Sequence, residues 1–219
     1  MADAAESVTQ RDIIAKLLDE HGRTYASEAG IPLADKPSPL YRLLVLTTLL
    51  SVRISSDIAV AAARELSKAG WRTARAMRES TWQQRVDALG RAHYVRYDES
   101  TARHLGEGAE LTITAYGGDL RRMRRAADGD VSELQRLLRR FPRIGPVGAR
   151  IFCREVQDVW PEFRPFFDDR ALTAAARLGL PTTPADLARS APSGAVALLA
   201  AALIRHERAN RAGKSAEAG

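Results

Sequence analysis

The ten residues FPRIGPVGAR, Phe141 to Arg150, set two prolines and two glycines between a basic, leucine-bearing run and an apolar one. Proline interrupts helical hydrogen bonding, yet the residues on both sides keep helical spacing. The stretch therefore predicts helix, a hairpin of about four or five residues, and helix again. Gly145 can take a positive φ, while Gly148 and Ala149 leave no bulky side chain where the backbones approach. Ile144, Pro146 and Val147 complete the turn. Such a turn points successive backbone N–H groups outward at a helix start, where they can cradle a phosphate oxygen. Arg139, Arg140, Arg143 and Arg150 add a salt-sensitive attraction for a polyanion. The same residues also describe a plain helical corner with solvated arginines, and one GxxG does not choose between the two.

The neighbouring sequence supplies helices on either side. Asp130 and Glu133 have capping-box spacing ahead of Leu134, Leu137 and Leu138, so a helix runs into the hairpin. VGARIFCREVQDVW, DRALTAAARLGL, PADLARSA and SGAVALLAAALIRHERANR follow with helical periodicity or composition, separated by proline-bearing turns. Toward the N-terminus, SVTQRDIIAKLLDEHG closes on Gly22. PSPLYRLLVLTTLLS offers Ser38 as cap and a nearly all-round apolar run from Leu43 to Leu50, the expected central helix. SSDIAVAAARELSKAG is capped by Ser55 or Ser56 and stops at Gly70, and Ser80 to Gly90 repeats that grammar. A helix is also expected in DESTARHLGEGAELTITAYGG, despite Gly106 and Gly108. No strand alternation and no fixed-period repeat appear, so the fold class is all-α.

Composition narrows the partners. The chain has 219 residues, a net charge of +6, and 29 arginines against four lysines (Lys16, Lys36, Lys68, Lys214). Guanidinium forks suit phosphate oxygens, although arginine abundance also arises from coding bias. Cys153 is the only cysteine, which excludes an intrachain disulfide and any four-cysteine zinc or iron–sulfur site. His21, His93, His104 and His206 lack metal-ligand spacing, so no metal and no cofactor is expected. No apolar run is long enough to span a bilayer, and MADAAESVTQRD lacks the pattern of a signal peptide. A cytoplasmic, nucleoid-associated monomer with no membrane partner is expected.

Three pieces of sequence carry a resemblance. LLSVRISSD (residues 49–57), FPRIGPVGARIF and FDDRALTAAARLGL (residues 167–180) resemble, in order and approximate spacing, segments of the helix-hairpin-helix DNA glycosylases of the endonuclease III superfamily. The similarity extends from about Leu43 to Arg205. It implies a two-lobed helical fold with a cleft: residues 1–40 and 151–219 in one lobe, 41–150 in the other, and 212–219 as a frayed tail. It implies duplex DNA with a damaged or mismatched base as partner and a hairpin, Arg143 to Gly148 with Arg150, on the DNA backbone.

The resemblance also places Asp168 on the catalytic position, with Asp169 one residue beyond. A carboxylate there stabilises the positive charge that builds on the sugar as a flipped-out base departs, and can orient water. Asp168 equally reads as an N-cap of the helix that follows, and the two roles are compatible. The Asp168 and Asp169 pair has no third ligand to suggest a metal.

Departures from the family refine the expectation. The lysine that makes some members strand-cleaving lyases is replaced by Val147, so a monofunctional, water-using glycosylase is expected. The four-cysteine cluster is absent. Arg143 stands where many hairpins have another glycine, and an insertion falls in QDVWPEFRPFF. Arg53 replaces a glutamine that enters the gap left by the flipped base; it can fill that gap or contact a phosphate. These departures keep open a catalytically inactive protein that binds damaged or bent DNA. Lyase chemistry through the N-terminal amine or a distant lysine is a third alternative. Tyr94, Tyr97, Trp71, Trp82 and Trp160 are expected in the core, and Arg121, Arg122, Arg124 and Arg125 on a solvated helix face.

Overall fold

Short polar caps and glycine stops divide the chain into thirteen α-helices and one 3-10 turn among the described residues, with no strand. The structure, a computed structural model, describes residues 9–217, with side chains through residue 211. In order these are α1 (Gln10–His21), α2 (Tyr25–Glu28), α3 (Pro37–Leu50), α4 (Ser56–Lys68), α5 (Ala74–Glu79), α6 (Trp82–Arg91) and α7 (Asp98–Tyr116). Then come α8 (Arg121–Ala127), α9 (Val131–Leu138), α10 (Pro146–Val156), the 3-10 turn (Pro161–Phe163), α11 (Asp169–Arg177), α12 (Pro184–Ser190) and α13 (Val196–Glu217). The chain divides into two compact units, Tyr25–Arg164 and Met1–Thr24 with Pro165–Gly219.

The Tyr25–Arg164 unit is built on α3. Leu40, Leu43, Leu46 and Leu49 are each fully buried, and α4, α7 and α10 pack against this helix. Its start differs from expectation: the helix begins at Pro37 with Lys36 as an N-cap that offers no side-chain bond. Ser38 instead donates its hydroxyl to the Arg72 carbonyl at 2.9 Å. Ser80 to Gly90 is likewise corrected. Thr81 caps α6 in a reciprocal box with Gln84, and the helix passes through Gly90 to Arg91. The short α5 before it was not anticipated. Gly106 lies within an unbroken α7, where a Cβ would sit 2.9 Å from the Arg85 guanidinium. Arg85 is buried and donates to the carbonyls of Ala102, Met77 and Ser80, so a cation replaces ordinary packing at that point.

This unit reaches further along the chain than residues 41–150. The buried Glu155 carboxylate on α10 accepts hydrogen bonds from the backbone N–H groups of Tyr25 and Ala26, at 3.1 and 2.8 Å. That bond ties α2 to α10, and a buried, hydrogen-bonded carboxylate is costly to separate from its donors. The proline-rich loop before α3 is fastened similarly. Asp35 accepts from the Trp160 indole N–H at 2.9 Å and from Arg124 at 2.6 Å, and Arg124 also pairs with Glu162. The segment QDVWPEFRPFF is therefore packed, with Trp160 and Phe163 buried beside Phe152.

In the other unit, α1 and α11 pack on α13, and α12 touches α1. Ile14, Leu17, Ala171, Ala175, Leu199, Ala200 and Leu203 form its core. Thr9 and Asp12 close a capping box on α1, and its polypeptide stop at Gly22 falls where the sequence places it. His21 and His206 meet edge to face with ring centroids 5.5 Å apart. The backbone of α13 continues helical to Glu217, beyond the start of the expected frayed tail. The rest of that tail, residues 218–219, lies outside the described residues.

Candidate functional site

Helices α9 and α10 pack together, joined by residues 139–145. The connection is longer than the expected hairpin because Arg139 and Arg140 already leave α9 in tight turns. Within it, the Ile144 N–H donates to the Phe141 carbonyl at 3.2 Å, closing a turn with Pro142 second and Arg143 third. Proline second and a positive φ third is the type II pattern. The positive φ, +66°, falls on Arg143 rather than on Gly145. Gly145 is extended, φ −89° and ψ −169°, a conformation open to any residue. The left-handed conformation open to Gly145 is not used there, and the strained position is an exposed arginine.

The two glycines have different reasons to be there. A Cβ on Gly148 would lie 2.3 Å from the Ser51 hydroxyl at the end of α3, so only glycine lets these segments approach. A Cβ on Gly145 would meet nothing within 4 Å. Nothing inside the protein excludes a side chain at 145. Gly145 also caps α10 without a side-chain bond, and Pro146 has no N–H. Among the described residues, the backbone N–H groups of Gly145, Val147 and Gly148 meet no acceptor; Ala149 is the first to do so, at the Gly145 carbonyl. Ile144 is buried and anchors the turn, whereas Pro146 and Val147 are exposed and Arg150 is half-buried.

Contacts bring two other loops of this unit beside the hairpin. Ser51, touching Gly148, begins the bend that carries the exposed Arg53. Tyr94, between α6 and α7, donates its hydroxyl to the Leu49 carbonyl at 3.3 Å, one turn before that bend. Burial pushes the Tyr94 phenol up, with nearby Arg143 opposing. The same arginine reinforces the main effect of burial on His104, whose imidazole is held below its usual range despite Glu107. His93 joins this loop as a second exposed, non-glycine residue with positive φ, +58°. Sequence reasoning missed Ser51 and His93; the glycine at 148 signals a close neighbour but does not say which.

Beside the loop from Ala92 to Tyr97, an open groove of about 650 Å³ is lined by Trp82, Arg96, Tyr97 and Arg103. Trp82 is 42% exposed, unlike the fully buried Trp160 and Tyr94, and so departs from the expected core role. Its indole N–H is held by the Glu99 carbonyl at 3.1 Å. The arginines of α8 are divided. Arg121 pairs with Asp119 and Arg124 with Asp35 and Glu162, while Arg122 and Arg125 are exposed.

In the unit containing α11, Asp168 is the N-cap and its Oδ1 accepts from the Ala171 N–H at 3.0 Å. The capping role read from sequence is therefore present. Asp168 is 8% exposed and Asp169 faces solvent, so the two adjacent carboxylates differ in environment. Among the described residues no group of three or more His, Cys, Asp or Glu side chains is placed to hold a metal ion. No described helix is long and apolar enough to cross a membrane. Cys153 is buried, and burial pushes its thiol up to about 12, which makes it a poor nucleophile at neutral pH. No protein-family model matches the chain, and no curated protein is significantly similar to it.

Proposed function

We propose that this chain binds duplex DNA through the 139–150 hairpin and is a monofunctional DNA N-glycosylase that hydrolytically removes a damaged or mismatched base. The observation that carries the binding step is Gly145. It is a glycine that the fold does not need, in an ordinary conformation, with open space above it and N–H donors beside it. Space plus donors at a helix start suits the close approach of a phosphate. Strain at exposed Arg143 supports the same role, since a left-handed non-glycine costs about 1 kcal/mol and aims a guanidinium from the turn. Arg53 and Arg150 extend the basic surface.

For the chemical step, Asp168 is the candidate carboxylate. Its cap bond fixes one oxygen, so the side chain is oriented by its own helix, and burial strengthens its action on a developing cation. With valine at 147, cleavage would proceed through water and leave an abasic site. The test is a panel of duplexes with uracil, mismatched, oxidised and alkylated bases, scored before and after hot alkali. Strand breaks appearing only after alkali, and lost in Asp168→Asn, support the proposal. Breaks before alkali with a borohydride-trapped adduct would indicate a lyase. Binding with no product from any duplex would leave a non-catalytic DNA-binding protein.

A further inference from the structure

Among the described residues three large apolar side chains are exposed, Trp82, Val95 and Val147, and the first two line one groove. Val147 belongs to the hairpin, whereas Trp82 opens α6 and Val95 lies in the loop before α7. Single exposed apolar residues are ordinary on a protein surface, but two on one concavity are a patch. The indole N–H donates to the Glu99 carbonyl at 3.1 Å, a tie that glutamine or histidine could make without leaving a large ring 42% exposed. That bond uses the only donor of the indole and restrains the plane of the ring. What Trp82 offers to the groove is therefore an oriented π-face.

Both signs of charge line the same groove. The Arg96 guanidinium lies over the Tyr97 ring, 5.3 Å from its centroid, and forms no ion pair among the described residues. Arg103 has one long, exposed pair, with Glu107 at 3.8 Å, which contributes little. Asp98 accepts from the Glu99 N–H at 2.8 Å, whereas the exposed Glu99 carboxylate joins no ion pair among the described residues. A flat apolar face, two guanidinium groups and a carboxylate acceptor match the base, the phosphates and the exocyclic amine of a nucleotide. The volume of about 650 Å³ suits a ligand of that size, and an open groove admits a base still attached to its strand.

We infer that this groove is a subsite for an unpaired nucleotide of a DNA strand, with the base stacked on Trp82 and its phosphates taken by Arg96 and Arg103. The inference takes its ligand class from the DNA-binding proposal above and rests on that reading for it, but it uses none of the hairpin residues. A base inside a duplex is covered on both faces by its neighbours and has none to offer Trp82. The subsite therefore distinguishes single strands from duplex, and stacking makes it tolerant of sequence.

Binding of the full chain is measured on two probes: a single strand of about ten nucleotides of adenine and cytosine, which does not pair with itself, and a blunt undamaged duplex. Trp82→Ala should weaken the single strand by about tenfold or more and leave duplex affinity unchanged. Because that variant also removes the tie to Glu99, Val95→Asp is the second: Val95 is 64% exposed, so the change spares the core, sets a carboxylate against the phosphates and should also lower strand affinity. If Trp82→Ala does not fold by thermal melting, Val95→Asp alone decides. Wild-type strand affinity in the folded variants, or equal losses on strand and duplex, would overturn the subsite. A wild-type chain that holds the duplex but not the strand would overturn it too and leave the hairpin proposal standing. Strand binding through Trp82 without duplex binding would remove the hairpin proposal and keep the subsite. A proline-rich peptide that binds the wild type but not Trp82→Ala, with strand binding equal in both, would reassign the groove to extended peptides and overturn the inference.

Discussion

The starts of α10 and α11 solve the same problem in opposite ways. Each helix begins with backbone N–H groups that no preceding turn can satisfy. At α11 the chain supplies its own acceptor, the Asp168 carboxylate, which takes the Ala171 N–H. At α10 it supplies a glycine and a proline, with no side-chain cap and with open space where a side chain at 145 would stand. One start carries a side-chain acceptor of its own; the other carries none. On the function proposed above, the contrast separates a position where a carboxylate is held from one where a phosphate would be received.

Substitutions can break or sharpen that contrast. The largest effect is expected for Asp168→Asn. Asparagine caps as well as aspartate, so Tm should stay nearly constant while base release falls by about 10²-fold or more. Next is Gly148→Ala, whose methyl group meets Ser51; a loss of about 1–3 kcal/mol in urea unfolding is expected. Gly145→Ala should do the reverse, keeping or raising stability by about 0.4–1 kcal/mol while weakening DNA binding in a gel-shift titration. Equal stability losses at both glycines would remove the distinction between them. Arg143→Gly relieves the left-handed strain, so it should stabilise by about 1 kcal/mol and make the salt slope shallower by about 1.

The smallest effect concerns pH. Burial is the main force holding the imidazoles of His21 and His104 below their usual range, aided at His21 by His206. The unfolded chain takes up those protons first, so stability should be level above about pH 6.5 and decline as pH falls below it. Melting between pH 5 and 8 checks the sign. His21→Gln should flatten part of the decline.

Local signals carried most of the helix boundaries. Thr9, Ser55 and Asp130 act where a polar residue precedes an amphipathic run, and Gly22 and Gly117 stop helices as their positions indicate. What was not legible depends on partners distant in sequence. Ser38 is drawn from capping to the Arg72 carbonyl, and Glu155 reaches back to Tyr25 and Ala26 across 130 and 129 positions, shifting where one unit begins. The hairpin shows the same limit. Its glycines were visible, but which one excludes a side chain depends on Ser51, and which residue turns left-handed depends on the Pro142 turn. Of the site, the cap bond of Asp168 was readable from its place before an amphipathic run. The groove beside Trp82 was not, because the indole and the Glu99 carbonyl meet only in the folded unit.

The Trp160 clip has an optical consequence. Its indole is fully buried and bonded to Asp35, whereas Trp82 is substantially exposed beside the loop that precedes α7. Their emission should therefore separate: a blue, quencher-resistant signal from Trp160 and a red, acrylamide-sensitive one from Trp82, with half-buried Trp71 between them. Without any added dye, the first would follow unfolding and the second would follow changes in the groove that Trp82 lines.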